Sequence, residues 1–171
     1  MIVLIGYMGC GKSTVGRLLA KHFDLPFIDL DHHIETELGS SVPEIFNQKG
    51  AIYFRKEEHR CLTKILNSEG SFVLSLGGGA PCYHDNMEII KKATPHTFYL
   101  APSVAELSTR LLDKRSKRPL IAHIVSKEEM SEFIAKHIFE RSPYYEQATH
   151  VLRVDANDPK EMVAAIIKKL G

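Results

Sequence analysis

Short apolar runs alternate with longer stretches of helical periodicity along the 171 residues. Residues 1–5 form the first run and read as a buried strand. A Gly-rich turn follows, then a helical pattern over 12–23 that Leu25-Pro26 breaks. Residues 27–30 read as a second strand. One helix is predicted from near Asp31, another from near Val42, and a longer one over 51–66. Ser41 and Glu44 have the spacing of a capping box. A third strand is expected at 72–76, ended by Gly77-Gly78-Gly79. A helix at 85–93 leads to a fourth strand at 97–100. Ser103 and Glu106 cap a helix ending near Leu112, and Ser126 and Glu129 open another that runs to about Tyr145. Residues 150–154 read as the fifth strand. Pro159, at a favoured first-turn position, starts the last helix. Strands this uniformly apolar are expected where helices cover both faces of a parallel sheet. Strand–helix alternation then implies right-handed crossovers in a three-layer α/β/α arrangement.

Length and composition narrow the field. The pattern contains no repeat, low-complexity stretch or linker, so a single domain over 1–171 is expected. Apolar residues make up 44% and charged residues 25%, with a formal net charge of +1. That balance argues against bulk binding to nucleic acid or an acidic membrane. The opening apolar run is too short for a signal or a membrane span. Three cysteines, Cys10, Cys61 and Cys82, make a poor disulfide framework. A cytoplasmic protein is expected.

The candidate chemistry begins in the first turn. Gly6-Tyr7-Met8-Gly9-Cys10-Gly11-Lys12-Ser13 matches GxxxxGK[ST], the P-loop pattern, and Thr14 follows it. The glycines let successive amides curl around phosphate oxygens, and the helix start adds unpaired N–H groups. Lys12 is placed to reach the β- and γ-phosphates of ATP, and the Ser13 hydroxyl to ligate Mg²⁺. A chance match in a chain of this length arises roughly once in a few hundred sequences, and here the motif also sits between a strand and a helix. A thiol beside Lys12 makes Cys10 a candidate for alkylation that ATP slows.

Asp29 and Asp31 flank Leu30 at the carboxyl end of the second strand, the end at which parallel sheets bind ligands. One acid is a candidate for the Mg²⁺ shell and the other for accepting the proton of an attacking hydroxyl. On spacing alone Asp31 is equally a helix cap. His32 and His33 read as surface residues. The glycine triplet invites close approach by a substrate. No acid ends the third strand, so metal-holding falls to Ser13 with Asp29 and Asp31, and Ser75 is placed for a water-mediated contact. Arg55 has the spacing of a surface ion pair with Glu58, the commoner fate of a helical arginine. Arg141 invites the same reading. The basic stretch around Arg118, within 113–126, is either a solvated loop or a mobile lid that closes over ATP.

Taken together these segments resemble shikimate kinase over essentially the whole chain. The P-loop, Phe27-Ile28-Asp29-Leu30-Asp31, Phe54-Arg55-Lys56-Glu57-Glu58, Gly77-Gly78-Gly79, Arg118-Pro119-Leu120 and Arg141-Ser142-Pro143-Tyr144-Tyr145 follow the family's order. The resemblance implies a five-stranded parallel sheet of order 2-3-1-4-5, with substrate-binding helices at about 31–66 and a lid at about 113–126. It implies ATP and Mg²⁺ as cofactors and phosphorylation of the 3-hydroxyl of shikimate, on the route to chorismate and aromatic amino acids. It further implies that Asp31 binds ring hydroxyls and acts as base, while Lys12 and Arg118 act on the phosphates. Gly9, Cys10, Gly11, Lys12, Ser13, Thr14, Arg110 and Arg118 are then nucleotide contacts, with Arg110 beside the adenine. Arg55, Gly77, Gly78, Gly79 and Arg141 are shikimate contacts, the two arginines on its carboxylate. Ser13 and Asp29 belong to the metal. A monomer acting on a small molecule is expected. The rivals are a gluconate-kinase-like or nucleotide-kinase-like enzyme of the same fold, and a nucleotide-binding module without catalysis.

Overall fold

The computed structural model describes residues 1–115, 119–153 and 158–171. Five strands form one parallel sheet of order β2-β3-β1-β4-β5: β1 (Ile2–Ile5), β2 (Phe27–Asp29), β3 (Val73–Ser75), β4 (Thr97–Leu100) and β5 (His150–Leu152). The helices α1 (Lys12–Phe23), α2 (Leu30–Leu38), α3 (Val42–Leu66), α4 (Asn86–Ala93), α5 (Val104–Asp113), α6 (Lys127–Tyr145) and α7 (Pro159–Leu170) flank it. Every residue of β1, β3 and β4 is buried, which explains their continuous apolar sequence. The outer strands β2 and β5 are only partly covered.

Observed elements follow the predicted ones to within a residue or two. Strand β2 stops at Asp29, because Leu30 already turns into α2. Of the expected fifth strand, Val154 lies outside the described residues. The serine caps form as their spacing suggests. The Glu44 carboxylate accepts from the Ser41 amide at 2.8 Å and the Ser41 hydroxyl at 2.7 Å. Ser103 accepts from the Glu106 amide at 3.2 Å, and Ser126 from the Glu129 amide at 3.1 Å.

The expected pair of helices at 42 and 51 is one element broken in the middle. Gly50 has φ 81° and ψ 170°, a backbone conformation open essentially to glycine alone. The second part of α3 carries Phe54, Glu58, Cys61, Leu62, Ile65 and Leu66 into the core on one helical face. Arg55 therefore starts from a helix fixed by its buried neighbours.

Within the expected lid, Ser116, Lys117 and Arg118 lie outside the described residues. The following part is pinned to the body: a short 3-10 turn at Pro119–Ile121 places Ile121 and Ile124 in the core. No helix among the described residues is long and apolar enough to cross a membrane.

The Gly50 break makes a prediction that isolates backbone strain from packing. A Cβ at Gly50 would meet no atom within 4 Å. Gly50→Ala should nonetheless destabilise the fold by about 1–3 kcal/mol, the usual cost of a non-glycine residue in such a conformation. Urea unfolding of both proteins measures this. A difference below about 0.5 kcal/mol would mean that α3 accepts an unbroken path.

Candidate active site

All five strands point the same way, so their carboxyl ends share one edge of the sheet. Strands β1 and β3 are neighbours, and the pairing continues past the strands, where the Leu76 amide donates to the Leu4 carbonyl at 3.1 Å. The loop after β1 and the glycines after β3 are thereby laid side by side. Gly78 is the point of closest approach: a Cβ there would lie 3.2 Å from the Met8 amide nitrogen.

The loop after β1 has the geometry its glycines allow. Gly9 and Gly11 take φ of 81° and 100°, with Gly11 as the N-cap of α1. Lys12 is buried, and its ammonium donates to the carbonyls of Gly6 at 2.8 Å and Tyr7 at 3.0 Å. These bonds hold the charge at the loop wall. The Cys10 thiol, 3.5 Å from that ammonium, is 3% exposed, so a reagent reaches it only if the loop opens.

A cavity of about 330 Å³ opens over this edge. Gly9, Gly11, Lys12, Ser13, Thr14, Asp29, Asp31, Gly77, Gly78 and Arg110 all line it, together with Ser75. A second cavity of about 250 Å³ is lined by Cys10, Pro159 and Met162 and shares Gly9, Gly11, Thr14 and Arg110 with the first. The two spaces adjoin, and Arg110 stands at their border, braced by Glu106 at 2.7 Å.

The spacing ambiguity at Asp31 is resolved by α2 itself. Its N-cap is Asp29, whose side chain makes no cap bond. The Asp29 carboxylate instead accepts from the Ser13 hydroxyl at 2.7 Å. Asp31 sits in the first turn and faces the glycines: a Cβ on Gly77 would lie 2.5 Å from its Oδ1. Burial raises the Asp31 carboxyl above its usual range and Asp29 adds repulsion, while Lys12 and Arg55 pull it back. Ser13, Asp29 and Asp31 offer hard oxygen donors on one wall, a set suited to Mg²⁺.

Arg55 and Arg141 do not line the main cavity, and Arg55 lies at the end of the glycine segment. A Cβ on Gly79 would press into the Arg55 guanidinium. Arg55 does make the expected ion pair with Glu58, at 2.6 Å, but Glu58 is buried and the pair is no surface feature. The Arg55 guanidinium also lies 4.2 Å from the centroid of the Tyr83 ring. Burial pushes the Glu58 carboxyl up to about 7 against the pull of Arg55, and Asp31 adds repulsion. Arg141 lies over the Tyr7 ring, and the Tyr145 hydroxyl, one turn further along α6, donates to the Gly78 carbonyl. The Cys82 thiol lies within electrostatic reach of both guanidinium groups. Arg118 lies outside the described residues.

Spacing picks out neither Tyr7 nor Tyr145 as a site residue, and Glu58 only as a surface partner of Arg55. The only signal for them is local: Glu58 is three residues from Arg55, and Tyr145 is four from Arg141. A second cluster, His33, Glu37 and Cys61, brings its ligand atoms within 4.8 Å of one another. Glu37 is already held by Arg60 at 2.7 Å and Lys64 at 2.5 Å, bonds that bring its carboxyl down to about 2. Two cations beside the carboxylate oppose a metal there, and the group serves to tie α2 to α3.

A family model described as shikimate kinase matches residues 8–171. A shikimate kinase of Flavobacterium johnsoniae is 47% identical over 170 residues, covering 99% of this chain and 98% of its own. The chain belongs to the shikimate kinase family. Two solved structures agree with this membership across nearly the whole chain. Shikimate kinase from Bacteroides thetaiotaomicron has a TM-score of 0.88 at 34% identity, covering 99% of this chain and 94% of its own. The enzyme from Acinetobacter baumannii, in complex with shikimate, has a TM-score of 0.86 at 29% identity, with coverages of 99% and 91%.

The raised Glu58 carboxyl predicts how stability changes with pH. Its folded pKa of about 7 lies above the ordinary 4.5, so protonation favours the fold. That contribution is complete below about pH 4.5 and is lost as pH rises through about 7, on the order of 3 kcal/mol. Glu58→Gln removes the titration. The stability of Glu58→Gln relative to wild type should therefore climb by roughly 3 kcal/mol between pH 4.5 and 7. A difference in unfolding free energy that stays flat with pH would show that burial of Glu58 carries no such cost.

Proposed function

We propose that this chain transfers the γ-phosphoryl group of ATP to the 3-hydroxyl of shikimate, giving shikimate 3-phosphate and ADP on the route to chorismate and the aromatic amino acids. One observation carries the reading. Asp31 lies on the wall of the phosphate-loop cavity, against Gly77 and within electrostatic reach of both Lys12 and Arg55. A proton acceptor, a phosphate anchor and an anchor for an acidic acceptor are thus neighbours.

The loop amides and Lys12 hold the β- and γ-phosphates, with Thr14 and Arg110 toward the nucleoside in the adjoining cavity. Ser13 and Asp29 would hold Mg²⁺, which would supply positive charge to offset that of the phosphates. Arg55 and Arg141 grip the shikimate carboxylate, and two guanidinium forks fix orientation as well as charge. The Gly77-Gly78-Gly79 backbone lies close along the ring. Asp31 accepts the proton of the 3-hydroxyl as its oxygen bonds to the γ-phosphorus. The bond from that phosphorus to the bridging oxygen breaks, and its electron pair leaves on ADP. Burial suits Asp31 to this task, since a carboxyl raised above its usual range is a stronger proton acceptor. Arg118, on the expected lid, completes the charge around the transferred group and closure excludes water.

The decisive measurement is ADP release by the purified protein with shikimate, gluconate and nucleoside monophosphates in turn. Turnover is expected with shikimate alone, and turnover with AMP but not shikimate would overturn the assignment. Asp31→Asn should lower kcat by about 100-fold or more and leave the KM for ATP nearly unchanged. Near-normal turnover would remove the proton-acceptor role from Asp31.

A further inference from the structure

We propose that Tyr7, the second residue of the phosphate loop, is a positioning residue for the acceptor-site arginine Arg141, held in place by His137. The inference rests on the reading of Arg141 as an anchor for the shikimate carboxylate. It assigns to the nucleotide-binding loop a share in acceptor affinity.

Four residues of α6, Phe133, His137, Arg141 and Tyr145, recur at intervals of four and so form one stripe along the helix. The stripe meets the phosphate loop and the glycine segment. The Arg141 guanidinium carbon lies 5.5 Å from the centroid of the Tyr7 ring, within cation–π range. The ring is 1% exposed, so it has no room to swing aside. Its hydroxyl is 3.0 Å from the His137 Nδ1, one turn before Arg141. The His137 ring in turn packs against Phe133, with centroids 4.2 Å apart. Tyr145, one turn after Arg141, ties the helix to the Gly78 carbonyl.

The other end of the same residue faces the phosphates. The Tyr7 carbonyl accepts from the Lys12 ammonium at 3.0 Å. A single loop residue therefore touches the phosphate lysine through its backbone and the acceptor arginine through its ring. Any change in the loop's path tilts the platform under Arg141. Leucine in place of Tyr7 keeps an apolar side chain but removes the π face and the hydroxyl. Phenylalanine keeps the face and removes only the tether to His137.

The test compares shikimate KM, ATP KM and kcat for Tyr7→Leu, Tyr7→Phe, His137→Leu, His137→Gln and Arg141→Ala. Tyr7→Leu should raise shikimate KM by about 10-fold, with a much smaller rise in ATP KM and a smaller fall in kcat. Tyr7→Phe and His137→Leu should each give a rise of roughly 2- to 4-fold, and His137→Gln, which keeps a hydrogen-bonding group, should recover most of it. In an Arg141→Ala background, Tyr7→Leu should add little further loss, because the two residues act as a unit. If Tyr7→Leu is too unstable to purify, the two His137 variants decide. A rise in shikimate KM for Arg141→Ala, with no rise for the Tyr7 or His137 variants, overturns this inference alone. So does an effect confined to ATP KM. An unchanged shikimate KM for Arg141→Ala instead overturns the reading of the acceptor site beneath it.

Discussion

The adjacency of β1 and β3 is the constraint on which the site depends. In a parallel sheet, neighbouring strands deliver their carboxyl-terminal loops to the same edge at the strand spacing of about 4.8 Å. Here one of those loops is built to surround phosphate and the other is three glycines long. Without side chains, the glycine segment lets the Asp31 carboxylate in at Gly77, the phosphate-loop backbone at Gly78 and the Arg55 guanidinium at Gly79. A single β-carbon at the first or last of these would push a charged group away from the place where it acts. The separation between the two halves of the site is thus set by backbone, which does not fluctuate as long side chains do.

Charge burial is the cost of that arrangement. Lys12 and Glu58 are buried and Asp31 is largely so, though desolvating an ion costs several kcal/mol before any partner is counted. The structure offsets this by giving each charge a fixed polar neighbour. Lys12 takes two loop carbonyls, Glu58 takes Arg55, and Asp31 has Lys12 and Arg55 within electrostatic reach. The apolar strands β1, β3 and β4, buried throughout, supply the stability that tolerates such groups. Asp31 and Glu58 still carry raised carboxyls, the trace of incomplete compensation. A group that is poorly solvated and only partly paired is also one ready to take a proton, so the same shortfall suits Asp31 to the role proposed for it.

Local chemistry was legible in the sequence wherever it was decided locally. Strand β1 announced itself by its apolar run, the helix starts by Ser41, Ser103 and Ser126 with their acids three residues on, and the phosphate loop by its glycine spacing. Even the break in α3 showed as two separate helical patterns on either side of Gly50. What escaped was decided by distant contacts. Spacing gave Arg55 and Glu58 as an ordinary surface pair, because nothing near Glu58 says that α3 turns this face into the core. Nothing local says that Tyr7 meets His137 across 130 residues, or that Tyr145 reaches Gly78 across 67. The role of Asp31 was undecidable from spacing for a related reason. Whether it capped α2 or faced the cavity depended on where β2 ended, and β2 ended at Asp29.

The two arginines proposed to hold the shikimate carboxylate are supported in different ways, and the difference bears on how they would receive an anion. Arg55 is held by one edge: its Nη1 donates to the Glu58 carboxylate, which leaves the other donors of the guanidinium fork for a ligand. Because burial lifts the Glu58 carboxyl to about 7, the group is partly protonated near neutral pH and neutralises Arg55 less fully than an exposed acid would. Arg141 rests on the face of Tyr7, a contact that orients the group without cancelling its charge. On the proposed reading, an acidic acceptor would meet one guanidinium partly neutralised and rigidly aimed, and another that keeps its charge and takes its aim from the phosphate loop. Such a site would distinguish a carboxylate from a neutral group by charge at Arg141, and one carboxylate geometry from another by the fixed fork at Arg55.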